Sequence, residues 1–406
     1  YLYSSCDRKQ WSFHGDLLAV TGENLPETIS WDAEEDGRSQ SIKHWIESDV
    51  TMPPSRYVML AVCSDSLIFC DEVEIWGTPL QEPTGQRVTD FLEGDKAVQS
   101  YTQRLKLAGY LQRRMMDDLA AIRRIAGEHP EIGKELDALV AEVQATPPPP
   151  ASSYHSTRLP LNPLHTRILQ AQARTWRSLG LPEVVVWKAH RFDQIPLIHW
   201  PEPSSQPSLF LRPLKGGRAS DAFLISNAGD QPQTIIITPK GFSASGLPAW
   251  ATLYLAAWAD TKAGIPVANA LEVLPNRNGS YECTLPSGMT GRIWLSVNQN
   301  TPEGRHTGTL EIKTASVETA VPVTVEVANV AAPGEPLNIV LWDYIDGNNI
   351  YKNVGKNRDA LIRTVRERFH YLPWATRMVL PPVSARDFDE ENRLVTKPDF
   401  SVFDRW

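Results

Sequence analysis

From Ser55 to Gly77, apolar and polar residues alternate in SRYVMLAVCSDSLIFCDEVEIWG, with Tyr57, Met59 and Ala61 on one face and Val73 and Ile75 resuming the period. Alternation rich in β-branched and aromatic side chains predicts strands, and residues 1–77 read as a β-module. The period then changes. Leu111, Met115, Leu119, Ile122 and Ile125 recur at helical spacing, His129-Pro130 interrupts, and Ile132, Leu136, Leu139 and Val143 form a second stripe. A helical hairpin is predicted between Thr89 and Glu142. A polyproline linker follows at 147–150, then a third helix from Pro163 to Leu179 using Leu164, Ile168, Ala171 and Leu179. These stripes read as structural faces.

Residues 182–330 return to short strands with frequent turn signals. VVVW (184–187), LFLRPL (209–214), AFLISN (222–227), TIIIT (234–238), ATLYLAAW (251–258), RIWLSV (292–297), GTLEIK (308–313) and VPVTVEV (321–327) are the candidates. Their number, with no helix between them, predicts an antiparallel sandwich. Asn278-Gly279-Ser280 is a glycosylation sequon. From Pro336 the chain reads PLNIVLWDYIDGNN, a basic helical run, HYLPWATRMVLPP, and finally KPDFSVFDRW. That is a strand, a helix and a second strand, the opening of a (β/α) barrel. The chain begins at Tyr1 without methionine, and the expectation is a fragment of a larger protein.

The predicted fold class is therefore multidomain and mainly β with an α spacer. A partial β-sandwich at 1–77 leads to a helical spacer with a polyproline linker at 89–180. A second antiparallel sandwich spans 182–330, and the truncated start of a TIM-type barrel spans 337–406.

Composition narrows the function classes. The formal net charge of −8 argues against a nucleic-acid partner, because phosphate neutralisation needs a clustered basic face. Basic residues do gather between Arg104 and Arg124, but acids are interleaved, as on a solvated helix face. No run of eighteen apolar residues is present to span a membrane. The 32 Pro and 13 Trp suit β-modules joined by stiff linkers. An indole fills a core, and it also stacks on the C–H face of a pyranose. Cys63 and Cys70 flank SDSLIF and read either as a disulfide across a short hairpin or as free thiols, and Cys6 and Cys283 have no spacing partner. No zinc-type ligand spacing occurs, and no metal or other cofactor is called for.

Three segments carry family resemblances. The R-Y-V-M-L strand with D-E-V-E-I-W-G after it resembles the closing strands of a discoidin-type, galactose-binding-like module. RIWLSVNQNTPEGRHTGTLEI, Arg292 to Ile312, resembles the phrase that closes the sandwich ahead of the barrel in glycoside hydrolase family 123 and its relatives. Gly304 and Gly308 keep glycine there, whereas His306 and Thr307 stand near the family's first glycine. DFDEENRLVTKPDFSVFDRW, Asp387 to Trp406, is similar to a barrel segment of those relatives, with Asn392 at a glycine position that tolerates a left-handed turn.

The resemblance implies a substrate-assisted glycoside hydrolase whose adjacent Asp and Glu lie on a later barrel strand, beyond Trp406. Asp71-Glu72 sits in the discoidin-like strand and is rejected as that pair, and Asp389, Glu390 and Glu391 read as a solvated turn. Barrel enzymes bind at the C-terminal ends of their strands. The candidate sugar-binding residues are therefore Trp342, Asp343 and Tyr344 after the first strand, and Trp374 and Arg377 after the second. Against this, Trp342 is also suited to capping a barrel core, and Asp343 to capping a turn. The implied partner is a carbohydrate, with N-acetylhexosamine-containing glycans as one class, and the implied location is secreted, periplasmic or at the cell surface. The rival expectation is a non-catalytic surface, adhesion or assembly protein built from the same sandwiches.

Overall fold

The computed structural model describes residues 1–17, 23–30, 40–48, 50–62, 72–78, 91–147, 158–203, 207–243, 246–261, 264–331, 339–341, 359–360, 363, 366, 370–373 and 384–401. Among them the chain is mainly β, with several antiparallel sheets and three α-helices described in full. It divides into two compact units, residues 1–213 with 218–328, and residues 214–217 with 329–406.

The first unit opens with β1 (Leu2–Ser5), β2 (Gln10–Gly15), β3 (Glu23–Ser30), β4 (Gln40–Glu47), β5 (Tyr57–Leu60) and β6 (Leu92–Glu93). One sheet runs β5-β1-β2-β6, while β3 and β4 pair as a separate antiparallel ribbon. Tyr3 and Trp11 are buried against Val98, with Tyr57, Met59 and Ala61 packed on the cluster, as their shared face predicts. The expected closing strand is absent: residues 72–78 have no strand conformation, and Trp76 is 88% exposed. Val73 and Ile75 alternate correctly, but alternation stabilises a strand only where a neighbour takes up its hydrogen bonds and its apolar face. Cys63 and Cys70 lie outside the described residues. Cys6 and Cys283 are free thiols.

The helices are α1 (Gly94–Ala126), α2 (Pro130–Ala145) and α3 (Pro163–Ser178). Pro130 occupies the first turn of α2, where its missing N–H has no intrahelical partner to lose. Asn162 caps α3, its side-chain oxygen accepting the His165 N–H at 2.8 Å. Met115, Leu119 and Ile122 of α1, the whole predicted stripe of α2, and Ile168, Leu169 and Ala171 of α3 form one buried cluster. Leu179 departs from its predicted stripe: it follows the helix and is exposed. The cluster also takes in Leu197, Ile198, Trp258 and Met289, so the helices pack onto the sandwich that follows them.

That sandwich contains β7 (Val184–Trp187), β8 (Leu209–Leu211), β10 (Ala219–Asn227), β11 (Gln233–Lys240), β12 (Ala251–Ala259), β13 (Val267–Val273), β14 (Asn276–Arg277), β15 (Ser280–Leu285), β16 (Thr290–Val297), β17 (Gly304–Lys313) and β18 (Glu318–Ala331), with β9 (Leu214–Lys215) between β8 and β10 in the chain. A five-stranded sheet runs β13-β12-β16-β10-β7, and a second sheet runs β14-β15-β11-β17-β18-β8. Phe223, Ile225, Leu253, Ile293 and Leu295 from the first meet Ile235, Ile237, Leu310, Val321 and Val323 from the second in the core.

Three details depart from the sequence expectation. β13 and β15 are additional strands, and Asn278-Gly279 turns β14 into β15 with positive φ at both residues, the geometry a two-residue hairpin favours. β8 pairs with β18 in parallel, Leu209 opposite Val323, so the sandwich is not wholly antiparallel. β16 and β17, consecutive in the chain, do not pair with each other: they belong to different sheets, and the loop between them crosses the sandwich. In that phrase Gly308 is required by packing: a Cβ would meet the Phe242 ring at 2.5 Å and the Lys240 carbonyl oxygen at 2.6 Å.

In the second unit, β19 (Ile339–Leu341) and β20 (His370–Pro373) pair in parallel, Ile339 opposite His370. Asp359, Ala360, Arg363 and Arg366 between them are helical. This is the pairing of a β-α-β unit, and two strands do not by themselves make a barrel. Asn392 has φ +60°, the left-handed conformation that Asn tolerates. The Asp389 carboxylate accepts the N–H groups of Glu391 at 3.1 Å and Arg393 at 2.8 Å, so these acids form a solvated turn.

Candidate functional site

The sequence-predicted site residues Trp342, Asp343, Tyr344, Trp374 and Arg377 all lie outside the described residues. The described part carries a different concave site, on the outer face of the five-stranded sheet. Opposed residues of antiparallel strands share a face. Trp294 of β16 lies opposite Tyr254 of β12 and Ala222 of β10, and Arg292 lies opposite Ala256 and Leu224. This row faces away from the sandwich core. The helical layer covers it at the Trp258 and Met289 end. The loop 191–196 crosses next, and the Trp294 end remains partly open. Between the loop and β13 is a groove of about 410 Å³, with Leu224, Trp258, Thr290, Arg292 and Trp294 among its lining.

Its upper wall is aromatic and cationic. Phe192 is 70% exposed, its ring 6.0 Å from that of Trp294 and tilted by 47°. The Arg191 guanidinium lies 5.3 Å from the Phe192 ring centre. Arg292 donates to the carbonyl oxygens of Arg191 at 3.0 Å and Asp193 at 2.5 Å, which ties the loop to the sheet. Burial pulls the Arg292 pKa down, and the nearby Asp193 charge opposes that pull. Gln194 and Asn269 add amides to the lining.

The back of the groove is held rigidly. Gln172 of α3 is buried, donates to the carbonyls of Gly288 at 2.7 Å and Leu197 at 3.2 Å, and accepts the His199 N–H at 3.1 Å. Gly288 has φ +72°, and a Cβ there would run into the Leu169 carbonyl oxygen, so helix and turn touch through backbone. Trp176 donates its indole N–H to the His199 carbonyl at 2.7 Å. The His199 ring sits beside Trp176 and Trp187, and burial among them lowers its pKa to about 4. Trp187 donates to Ser226 at 2.9 Å, Ser226 and Thr290 share a hydrogen bond at 2.6 Å, and Thr290 meets His199 Nε2 at 3.1 Å. A neutral imidazole accepting at Nε2 completes this chain, with Thr290 on the groove wall.

A second polar cluster lies within the helices and is closed. Asp118 is 1% exposed and binds the Arg114 guanidinium at two oxygens. His165 Nδ1 accepts the Leu161 N–H at 3.1 Å, so its Nε2 carries the proton that faces Asp118 at 3.1 Å. Arg114 also donates to the Gly264 carbonyl at 2.6 Å. The Tyr110 hydroxyl reaches Asp260 at 2.7 Å, and burial followed by that carboxylate pushes its pKa up to about 12. The cluster locks α1 to α3 and to the loop before β13. Among the described residues no group of three or more His, Cys, Asp and Glu side chains is gathered to hold a metal, and no helix is long and apolar enough to cross a membrane.

No family model matches the sequence, and no curated protein matches it. Among solved structures, the chain is similar at 13% identity and a TM-score of 0.29 to a family 123 glycoside hydrolase from Clostridium perfringens, studied for glycolipid glycan hydrolysis. That likeness covers 49% of this chain and 40% of the hydrolase. The N-terminal domain of PorA is similar at 11% identity over 36% of this chain and 99% of that one, with a TM-score of 0.20. The bacterial hydrophobin BslA is similar at 13% identity over 37% and 98%, with a TM-score of 0.19. At these TM-scores the likenesses define neither a fold family nor a function for this chain.

Proposed function

We propose that this chain belongs to a carbohydrate-active protein of the glycoside hydrolase type, exported from the cytoplasm, and that the groove over the five-stranded sheet holds a glycan. The lining carries this reading: Trp294 and Phe192 stand side by side among Arg191, Arg292, Gln194 and Asn269. Aromatic faces stack on the C–H face of a sugar ring, while amides and guanidinium groups donate to its hydroxyls. Glycoside hydrolysis through paired protein carboxylates needs two of them. Among the described residues the groove has one, Asp193, so it is assigned to binding. Cleavage is assigned to a barrel beginning at β19 and β20, with Trp342, Asp343, Tyr344, Trp374 and Arg377 proposed around its sugar subsite and the N-terminal module proposed as a discoidin-like accessory. Titrating the chain with neutral, acidic and N-acetylhexosamine-containing oligosaccharides, followed by tryptophan fluorescence, tests the groove. Trp294→Ala is expected to weaken binding about tenfold with little change in melting temperature. A wild-type chain that binds none of the panel overturns the reading.

One observation favours the assembly alternative. Edge strand β13 and the residues before it expose Ile265, Leu271 and Val273 at 62%, 49% and 61%. An apolar sheet edge is a template for pairing with a second chain. If assembly is the function, sedimentation shows concentration-dependent association that Leu271→Lys removes. A monomer at every concentration excludes it.

A further inference from the structure

The groove has a charge opposite to that of the chain around it. The protein has a formal net charge of −8, yet among the described residues the ionised side chains lining the groove are Arg191, Asp193 and Arg292, two positive and one negative. Other arginines of this unit end on carboxylates: Arg114 on Asp118, Arg158 on Glu272, Arg177 on Asp230. Arg191 and Arg292 have no carboxylate within 4.0 Å among the described residues. Asp193, the acid in the described lining, lies 3.8 Å from His190 Nδ1.

Arg292 is half-buried and has five N–H donors, of which two go to the loop carbonyls. Among the described residues the rest have no hydrogen-bond partner. A guanidinium is planar, and its fork matches the two oxygens of a carboxylate or a sulfate. It sits two residues along β16 from Trp294, on the same outer face, so a ring stacked on the indole would bring its substituents to the guanidinium. Partial burial strengthens such a contact, since the surroundings screen it less than water does.

We propose that the groove selects an anionic glycan, whose carboxylate or sulfate meets Arg191 and Arg292 while a sugar ring stacks on Trp294 or Phe192. This rests on the groove being a glycan site. An acidic peptide would match the charge but would leave the aromatic pair without a ring to stack on.

The test uses the 406-residue chain and four ligands of matched length: an oligouronide, its methyl ester, a sulfated neutral oligosaccharide, and oligoglutamate. The oligouronide or the sulfated sugar is expected to bind at least about tenfold more tightly than the ester. Whichever of the two binds identifies the anion. Arg191→Gln, at a side chain with no hydrogen bond to the described residues, should remove most of that advantage while melting like the wild type. Raising salt from roughly 0.05 M to 0.5 M should do the same. Arg292→Lys, which keeps the charge and loses the fork, should retain only part of it. If ester and acid bind equally and Trp294→Ala weakens both, the glycan site stands and its anion selectivity falls. If no sugar binds, the glycan site itself falls. If oligoglutamate binds as tightly as the uronide and Trp294→Ala has no effect, the groove is a peptide site and the proposal is overturned.

Discussion

Arg114 and Arg292 both lie in the layer above the five-stranded sheet, both partly shielded from water, and the fold treats them differently. Arg114 ends on the Asp118 carboxylate and the Gly264 carbonyl, and Asp118 in turn meets His165. Arg292 ends on two carbonyls of a loop and keeps its remaining donors toward a groove. In the helical cluster every charge is answered within the chain, so the cluster specifies how α1, α3 and β13 dock. In the groove the charge is left incomplete beside exposed aromatic rings, where an incoming molecule can complete it. A polar group that serves the fold is expected to fail through stability when altered, and one that serves a ligand through affinity.

The largest test of that division is Asp118→Ala. It leaves Arg114 and His165 buried without their acceptor and should lower unfolding free energy by about 3–5 kcal/mol in denaturant titration. Glycan affinity of the fraction that remains folded should not change. A loss below about 1 kcal/mol would show that the cluster is not a fold determinant. Gly288→Ala strikes where the two regions meet, because the turn touches α3 through backbone and Gln172 bridges it to Leu197. A positive φ and a blocked Cβ together predict about 3 kcal/mol, with groove binding lost in parallel. Stability and binding that fell independently would separate the regions more sharply than the structure does.

The smallest of the three effects is set by pH. The folded His199 pKa of about 4 lies below the ordinary imidazole value of 6.5. Above pH 6.5 the ring is neutral in both states and contributes no pH dependence. As pH falls from 6.5 toward 4, the unfolded chain takes up the proton first, and stability falls by about 2 kcal/mol. Below pH 4 both states are protonated and the loss levels off. His199→Gln should flatten this window when melting is followed against pH, and an unchanged slope would remove His199 from the account.

The legible parts of this chain are those whose pattern and packing agree. VVVW, TIIIT and RIWLSV became strands because each had a neighbour and a core face, and the α2 stripe became a buried face residue for residue. VEIWG had the period without the neighbour. VANALEV gives a weak signal because an edge strand half open to water has a weak apolar signature. SYECTL is hidden because Asn278-Gly279-Ser280 carries two signals at once, a sequon and the turn of a hairpin. The groove was illegible for another reason. Trp294 and Arg292 lie about a hundred residues from Phe192, and nothing local says that the loop there folds over them.

The parallel pairing of Leu209 with Val323 has a consequence for how this protein is made. β8 is synthesised early, yet the strand that completes its edge is the last of the sandwich. Until Val325 has left the ribosome, β8 has no strand partner, and Leu209 and Leu211 lack the Val323 and Val325 that lie opposite them. Contacts so distant in sequence slow folding, because the loop must be closed before the pairing rewards it. The nascent chain therefore passes through a long interval with an apolar sheet open to its neighbours, the interval in which aggregation competes with folding. The three helices precede the sandwich, and their packing on one another is local. The chain thus makes first the layer that needs little help, and then waits for the one that does.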